Sequence, residues 1–210
     1  MTASSTVSRG RRSTRGSARG RVIEAAYDLF GCDSIATVGI DTIIARSGVA
    51  KMSFYKHFPS KEDLVLAFLD QRDERWTGWL VDRWEQAGPE PDAALMATFD
   101  ALDTWFHEPD FCGCPLLRTV LDTPPGTRVH AAANRALNSS RELLRGLAEE
   151  AGLAEPEVFA SAWHALMKGA IASAAEGHLD AARHARRAAE LILKGWPLLR
   201  PRPGAPRRTL

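Results

Sequence analysis

Apolar residues recur at helical spacing through most of this chain, broken wherever glycine and proline cluster. Val22, Ile23, Ala26, Leu29 and Phe30 fall on one face between Arg21 and Gly31, predicting a first helix that Gly31 ends. Ile40, Ile43 and Ile44 share a face in a second segment, and Phe54 and Phe58 do so in a third. Gly48 lies between them, where two short helices crossing steeply require positive φ and no Cβ, and Val49 can fill the gap behind the turn. After Pro59, Ser60-Lys61-Glu62-Asp63 reads as a capping-box-like start for a long helix. Its stripe runs through Leu64, Phe68, Leu69, Trp76, Trp79 or Leu80, and Trp84, until Gly88 and Pro89 stop it.

Further on, Leu95, Phe99, Leu102 and Phe106 make a stripe ended near Pro109. Another, Val129, Ala133, Ala136, Leu137, Ser140, Leu144 and Leu147, ends at Gly152. Residues 156–176 and 180–194 form a last, Ala-rich pair whose small side chains permit close helix approach. The expected fold class is all-α, a three-helix head followed by a larger helical body.

Charge divides the chain in the same place. Residues 1–60 carry nine Lys or Arg against four carboxylates, a balance of +5, so residues 61–210 hold −4 to give the net +1. A basic head on an acidic body is the distribution expected if only the head meets a polyanion. No carboxylate lies between Asp41 and Glu62, while Lys51, Ser53, Lys56 and His57 fall on the polar side of the third segment. That is how a major-groove reader and phosphate clamp should look, so the pair of helices around Gly48 reads as a helix-turn-helix for double-stranded DNA.

At these residues the chain resembles the TetR-type bacterial transcriptional repressors. The matching positions are Ile43, Gly48, Val49, Ser53, Phe54, Tyr55, His57, Phe58, Lys61, Glu62 and Leu64. It departs from that pattern at Ile44, usually Ala, at Ala50 and Gly39, where Ser or Thr usually caps a helix, and at Met52, often Gly or Pro. Losing a cap hydroxyl to Ala costs ~1 kcal/mol, and to Gly a few tenths.

The resemblance implies a DNA-binding head at 19–59 and an effector-binding and dimerising body at 60–196, and composition adds a disordered basic arm at 1–18, with almost nothing to bury, and a disordered tail at 197–210, rich in Pro and Arg. Lys51, Met52 and Ser53 would meet base edges, and Tyr55, Lys56, His57 and Lys61 would fix phosphates. Arg19, Arg21 and Thr42 complete the expected DNA-binding set. The last two helices would pair with their copies in a homodimer through Trp163, Met167, Ala170, Ala174, Ala181, Ala185, Ala188, Ala189 and Ile192.

Six Trp are many for a chain of this length. Trp76, Trp79, Phe99, Trp105, Phe106, Trp163 and Met167 are expected to line a site for a small apolar or aromatic effector, with His164 or Arg118 fixing its orientation. The expected function is therefore a repressor that binds a near-palindromic operator as a dimer and is released by that effector.

Little points to catalysis. The chain has no Gly-rich phosphate loop, Gly-x-Ser-x-Gly turn or His-Glu-x-x-His helix, and no cofactor is called for. Two alternatives stay open: a DNA-binding protein of the same fold without an effector, and a small helical metal or thiol enzyme using Cys112, Cys114 and His107. Structural metal sites want four ligands and usually Cys-x-x-Cys, which this cluster lacks, and Pro115 after it should start a short helix. Cys32 is expected to be a small buried group. Three cysteines make no disulfide framework, and no apolar run is long enough for a signal peptide or membrane span, so the expected home is the cytoplasm.

Overall fold

The computed structural model describes residues 16–199, all of them helix or connection apart from one isolated bridge. The helices are α1 (Ala18–Cys32), α2 (Ile40–Ser47), α3 (Lys51–His57), α4 (Lys61–Gln86), α5 (Pro91–Phe106), α6 (Pro115–Asp122), α7 (Arg128–Glu150), α8 (Pro156–Ala175) and α9 (Ala181–Gly195). They belong to two compact units. One holds Met1–Arg72 with Pro115–Asn134, the other Asp73–Cys114 with Arg135–Leu210.

In the first unit α1 is longer than its stripe suggested. It starts at Ala18 because the Ser17 hydroxyl accepts from the Gly20 N–H at 3.0 Å, and it passes Gly31 to end at Cys32. Cys32 is exposed rather than buried, since the inward face of the last turn is already taken by Phe30. Phe30 meets Phe68 of α4 edge-on, with ring centroids 5.3 Å apart. The turn between α2 and α3 is made by Gly48 at φ 63°, whose N–H bonds to Ile44 O, and Val49 is buried behind it. Ser60 caps α4, its hydroxyl accepting from Asp63 N–H at 3.1 Å and donating to the Asp63 carboxylate at 2.7 Å.

In the second unit α5, α8 and α9 pack around Leu95, Phe99, Leu102, Phe106, Phe159 and Trp163. Trp84 donates to Thr98, itself fully buried, at 3.0 Å, so both polar groups are satisfied inside that core. Glu155, before α8, is the single non-glycine residue with positive φ among the described residues, at 49°. The chain after α9 also departs from expectation. Pro197, Leu198 and Leu199 are seated on the α7–α8 turn: Pro197 O accepts from Ala154 N–H and Leu199 N–H donates to Gly152 O, both at 2.9 Å. Of the expected tail, residues 200–210 lie outside the described residues, as do residues 1–15 of the expected arm.

Candidate functional site

α3 is short, seven residues, and its orientation is set by two rings. Phe54 and Phe58 are buried and lie 6.1 Å apart, while the Arg19 guanidinium sits 5.3 Å from the Phe58 ring centre. With Phe54 inward, Met52, Tyr55 and Lys56 share the opposite face at the i, i+3, i+4 spacing. Met52 is 85% exposed and Tyr55 40%, and Lys51, Lys56 and His57 are exposed as well, with Thr42 exposed on α2 and Ser53 half-buried. Ala50 supplies no side-chain cap, as its identity requires.

Three of the expected DNA-binding residues have polar partners within the chain. Lys51 Nζ lies 3.2 Å from Asp41 Oδ1 across the turn, an exposed pair of the kind worth under ~1 kcal/mol and easily exchanged for another anion. Lys61 donates to Ala36 O at 3.4 Å, and burial pushes its ammonium below the ordinary value of 10.5. Arg21 Nη1 donates to Gly16 O at 2.9 Å. The result is an apolar and cationic surface on α3, with Asp41 the nearest carboxylate before it in sequence and Glu62 the next after.

Residues 22–68, which hold this surface, match the family model of bacterial regulatory proteins of the tetR family. The HTH-type transcriptional activator FasR of Mycolicibacterium smegmatis is 40% identical over 63 residues, 30% of this chain and 29% of that protein. The HTH-type transcriptional regulator EthR of the same organism is 31% identical over 90 residues, 41% of this chain and 42% of that protein. So the chain spans well under half the length of these curated relatives. The likeness in three dimensions extends further: a TetR-family transcriptional regulator from Streptomyces coelicolor superposes with a TM-score of 0.80 at 25% identity, covering 90% of this chain and 96% of that one.

Residues 22–68 carry the DNA-binding domain of the tetR family of bacterial regulatory proteins.

In the second unit, the aromatic residues expected to bind an effector do gather. Phe99, Phe106, Trp163 and Met167 are buried in one cluster, and Trp76, Trp79 and Trp105 pack against it partly exposed. Trp76 lies 5.2 Å from Trp79 and 5.0 Å from Trp105, and its indole donates to Ser140 at 3.1 Å. Trp163 stacks on Phe159 at 5.0 Å and meets Phe99 edge-on at 5.3 Å, and its indole N–H is buried with no hydrogen-bond partner among the described residues. His164 is buried too. Desolvation, then the nearby charges of Lys168 and Arg141, push its pKa down to about 4, which keeps the imidazole neutral near pH 7.

Arg118 belongs to the first unit, where Nη2 donates to Phe30 O at 2.9 Å and Gly31 O at 2.6 Å, carbonyls at the C-terminal end of α1 that favour a cation. The enzyme alternative gains no support either: no group of three or more His, Cys, Asp or Glu placed to hold a metal occurs among the described residues, and His107 Nδ1 is within 2.8 Å of the Asp103 carbonyl of its own helix.

The residues expected at the dimer face differ in burial within the single chain. Trp163, Met167, Ala170, Ala174, Ala181, Ala185 and Ala189 are buried within the chain itself, and Ala188 and Ile192 are half-buried. All but Ala188 belong to, or pack against, the core that α8 and α9 share with α5. What α8 turns outward is Val158, Ser161, Ala165, Gly169 and Ala172, and α9 turns out His184, Arg187 and Leu191. Val158 is 52% and Leu191 73% exposed. The sequence offered one signal for this choice: the outward set of α9 carries the Arg and His residues, and the inward set only Ala and Leu.

Proposed function

We propose that the protein is a cytoplasmic DNA-binding transcriptional regulator, acting as a repressor on a near-palindromic operator and released by a small apolar or aromatic effector. The observation that carries the DNA reading is the outward face of α3, where Met52, Tyr55, Lys56 and His57 stand exposed over buried Phe54 and Phe58. Such a face suits a major groove: cations fix phosphates without sequence information, and the remaining side chains reach base edges. The domains assigned on this reading are a head at 19–59 and a body at 60–196.

A homodimer follows from the demand for two heads on one two-fold axis, and we assign its contact to the outward stripe Val158, Ser161, Ala165, Gly169 and Ala172 of α8 with Leu191 of α9. The effector is assigned to the aromatic cluster of the second unit. The unpartnered Trp163 N–H supports this, since an acceptor on a ligand would satisfy a donor that otherwise costs ~1–3 kcal/mol to bury. Because His164 is neutral, the cluster suits an uncharged ligand.

Fluorescence titration of labelled operator and random duplex, at fixed salt, tests the DNA reading. Tyr55→Ala and Lys56→Ala should weaken both duplexes alike, whereas Lys51→Ala should also narrow the difference between them. Unchanged binding in all three variants overturns the assignment of α3.

A further inference from the structure

Met52 is the most exposed of the large apolar residues described, and it lies at the centre of a surface that is otherwise polar or cationic. An unbranched thioether held in water at 85% exposure contributes nothing to the fold: Phe54, on the opposite face of α3, supplies the anchoring. Its neighbours limit what the helix can read by hydrogen bonding. α3 contains no Arg, Asn or Gln, which leaves Lys51 and Lys56 as its only side chains of the kinds that make bidentate contacts to purines. Lys51, beside it, is drawn toward Asp41 at 3.2 Å, and Ser53 is half-buried. Tyr55 and Lys56, one turn along on the same face, bracket Met52 with a ring and a cation suited to the sugar-phosphate edge.

The base feature that matches such a side chain is the one apolar group of the major groove, the C5 methyl of thymine. We propose that Met52 reads a thymine methyl in each operator half-site and is a principal specificity residue of this protein. The inference rests on the proposed DNA-binding function. The flanking cations, with no carboxylate between Asp41 and Glu62, bring the duplex to this face, and Met52 then prefers thymine over cytosine, which offers no methyl there.

The test uses the full chain. A half-site is first selected from a random duplex library, and each thymine in it is then replaced by deoxyuridine, which loses the methyl and keeps every hydrogen-bonding group. Wild type, Met52→Ala and Met52→Leu are titrated on each duplex at one salt concentration. One deoxyuridine should weaken wild type about fourfold, the factor for burying one methyl group. Met52→Ala should bind the unmodified site at least that much more weakly and be indifferent to the same deoxyuridine, while Met52→Leu keeps the wild-type response. If Met52→Ala stays as sensitive as wild type, or no deoxyuridine matters to wild type, the inference falls and the DNA-binding reading survives. If no sequence is selected over random duplex, both fall.

Discussion

α3 and α8 are opposites in how they use small and large residues. In α3 the two faces contrast sharply, with aromatic rings inward and charge outward, so burial and function separate along the sequence itself. In α8 alanine occurs on both sides: Ala170 and Ala174 are buried while Ala165 and Ala172 are exposed. The lesson is that a face can be assigned from sequence only where its two sides differ in chemistry. A smooth small-residue surface fits the interior of the chain as well as a second subunit.

Breaking the contrast within α3 gives the largest effect. Phe54→Ala should cost about 3–5 kcal/mol, read as a lower urea midpoint together with lost DNA binding, whereas Met52→Ala on the opposite face should leave that midpoint unchanged. Next comes His164. Its folded pKa of about 4 lies below the ordinary 6.5, so between those values the unfolded chain holds a proton that the folded chain does not. Stability should therefore fall as pH drops from 6.5 toward 4, by roughly 3 kcal/mol in all, and His164→Leu should flatten that dependence in urea titrations across pH.

The α8–α9 assignment is sharpened by a pair of substitutions. Ala189→Leu adds bulk at a fully buried position and should destabilise the fold by about 1–3 kcal/mol, measured by thermal or urea unfolding. Leu191→Glu, two residues on but outward, should shift sedimentation toward a single subunit while leaving the unfolding of that subunit almost unchanged. If Ala189→Leu is silent and Leu191→Glu unfolds the chain, the inward and outward faces have been exchanged. The smallest effect is expected at Glu155, where Gly accepts φ 49° without the cost a side chain imposes, so Glu155→Gly should raise stability by about 1 kcal/mol or less.

The helices and their stops were legible because Gly48, Pro59, Gly88 and Gly152 punctuate strong apolar stripes. Gly31 misled, since a glycine in a last turn does not end a helix whose N–H and C=O pairing can continue to Cys32. The DNA-facing residues were legible as a set, but not the contacts Lys51 and Lys61 make with Asp41 and the Ala36 carbonyl, which depend on how the turn and the residues after α1 fold back. Arg118 was assigned by residue type alone. A guanidinium suits an effector or a helix end equally, and only the position of α6 beside α1 decides for the latter.

Pro197–Leu199 ties the chain end to Gly152–Ala154, and Trp196 adds a bond from its indole to Ala154 O at 2.7 Å. These links turn residues 152–199 into a closed hoop containing both α8 and α9. A fusion or affinity tag joined after residue 199 should therefore be harmless, whereas a chain cut back to residue 195 would open the hoop and loosen the pair of helices from both ends at once.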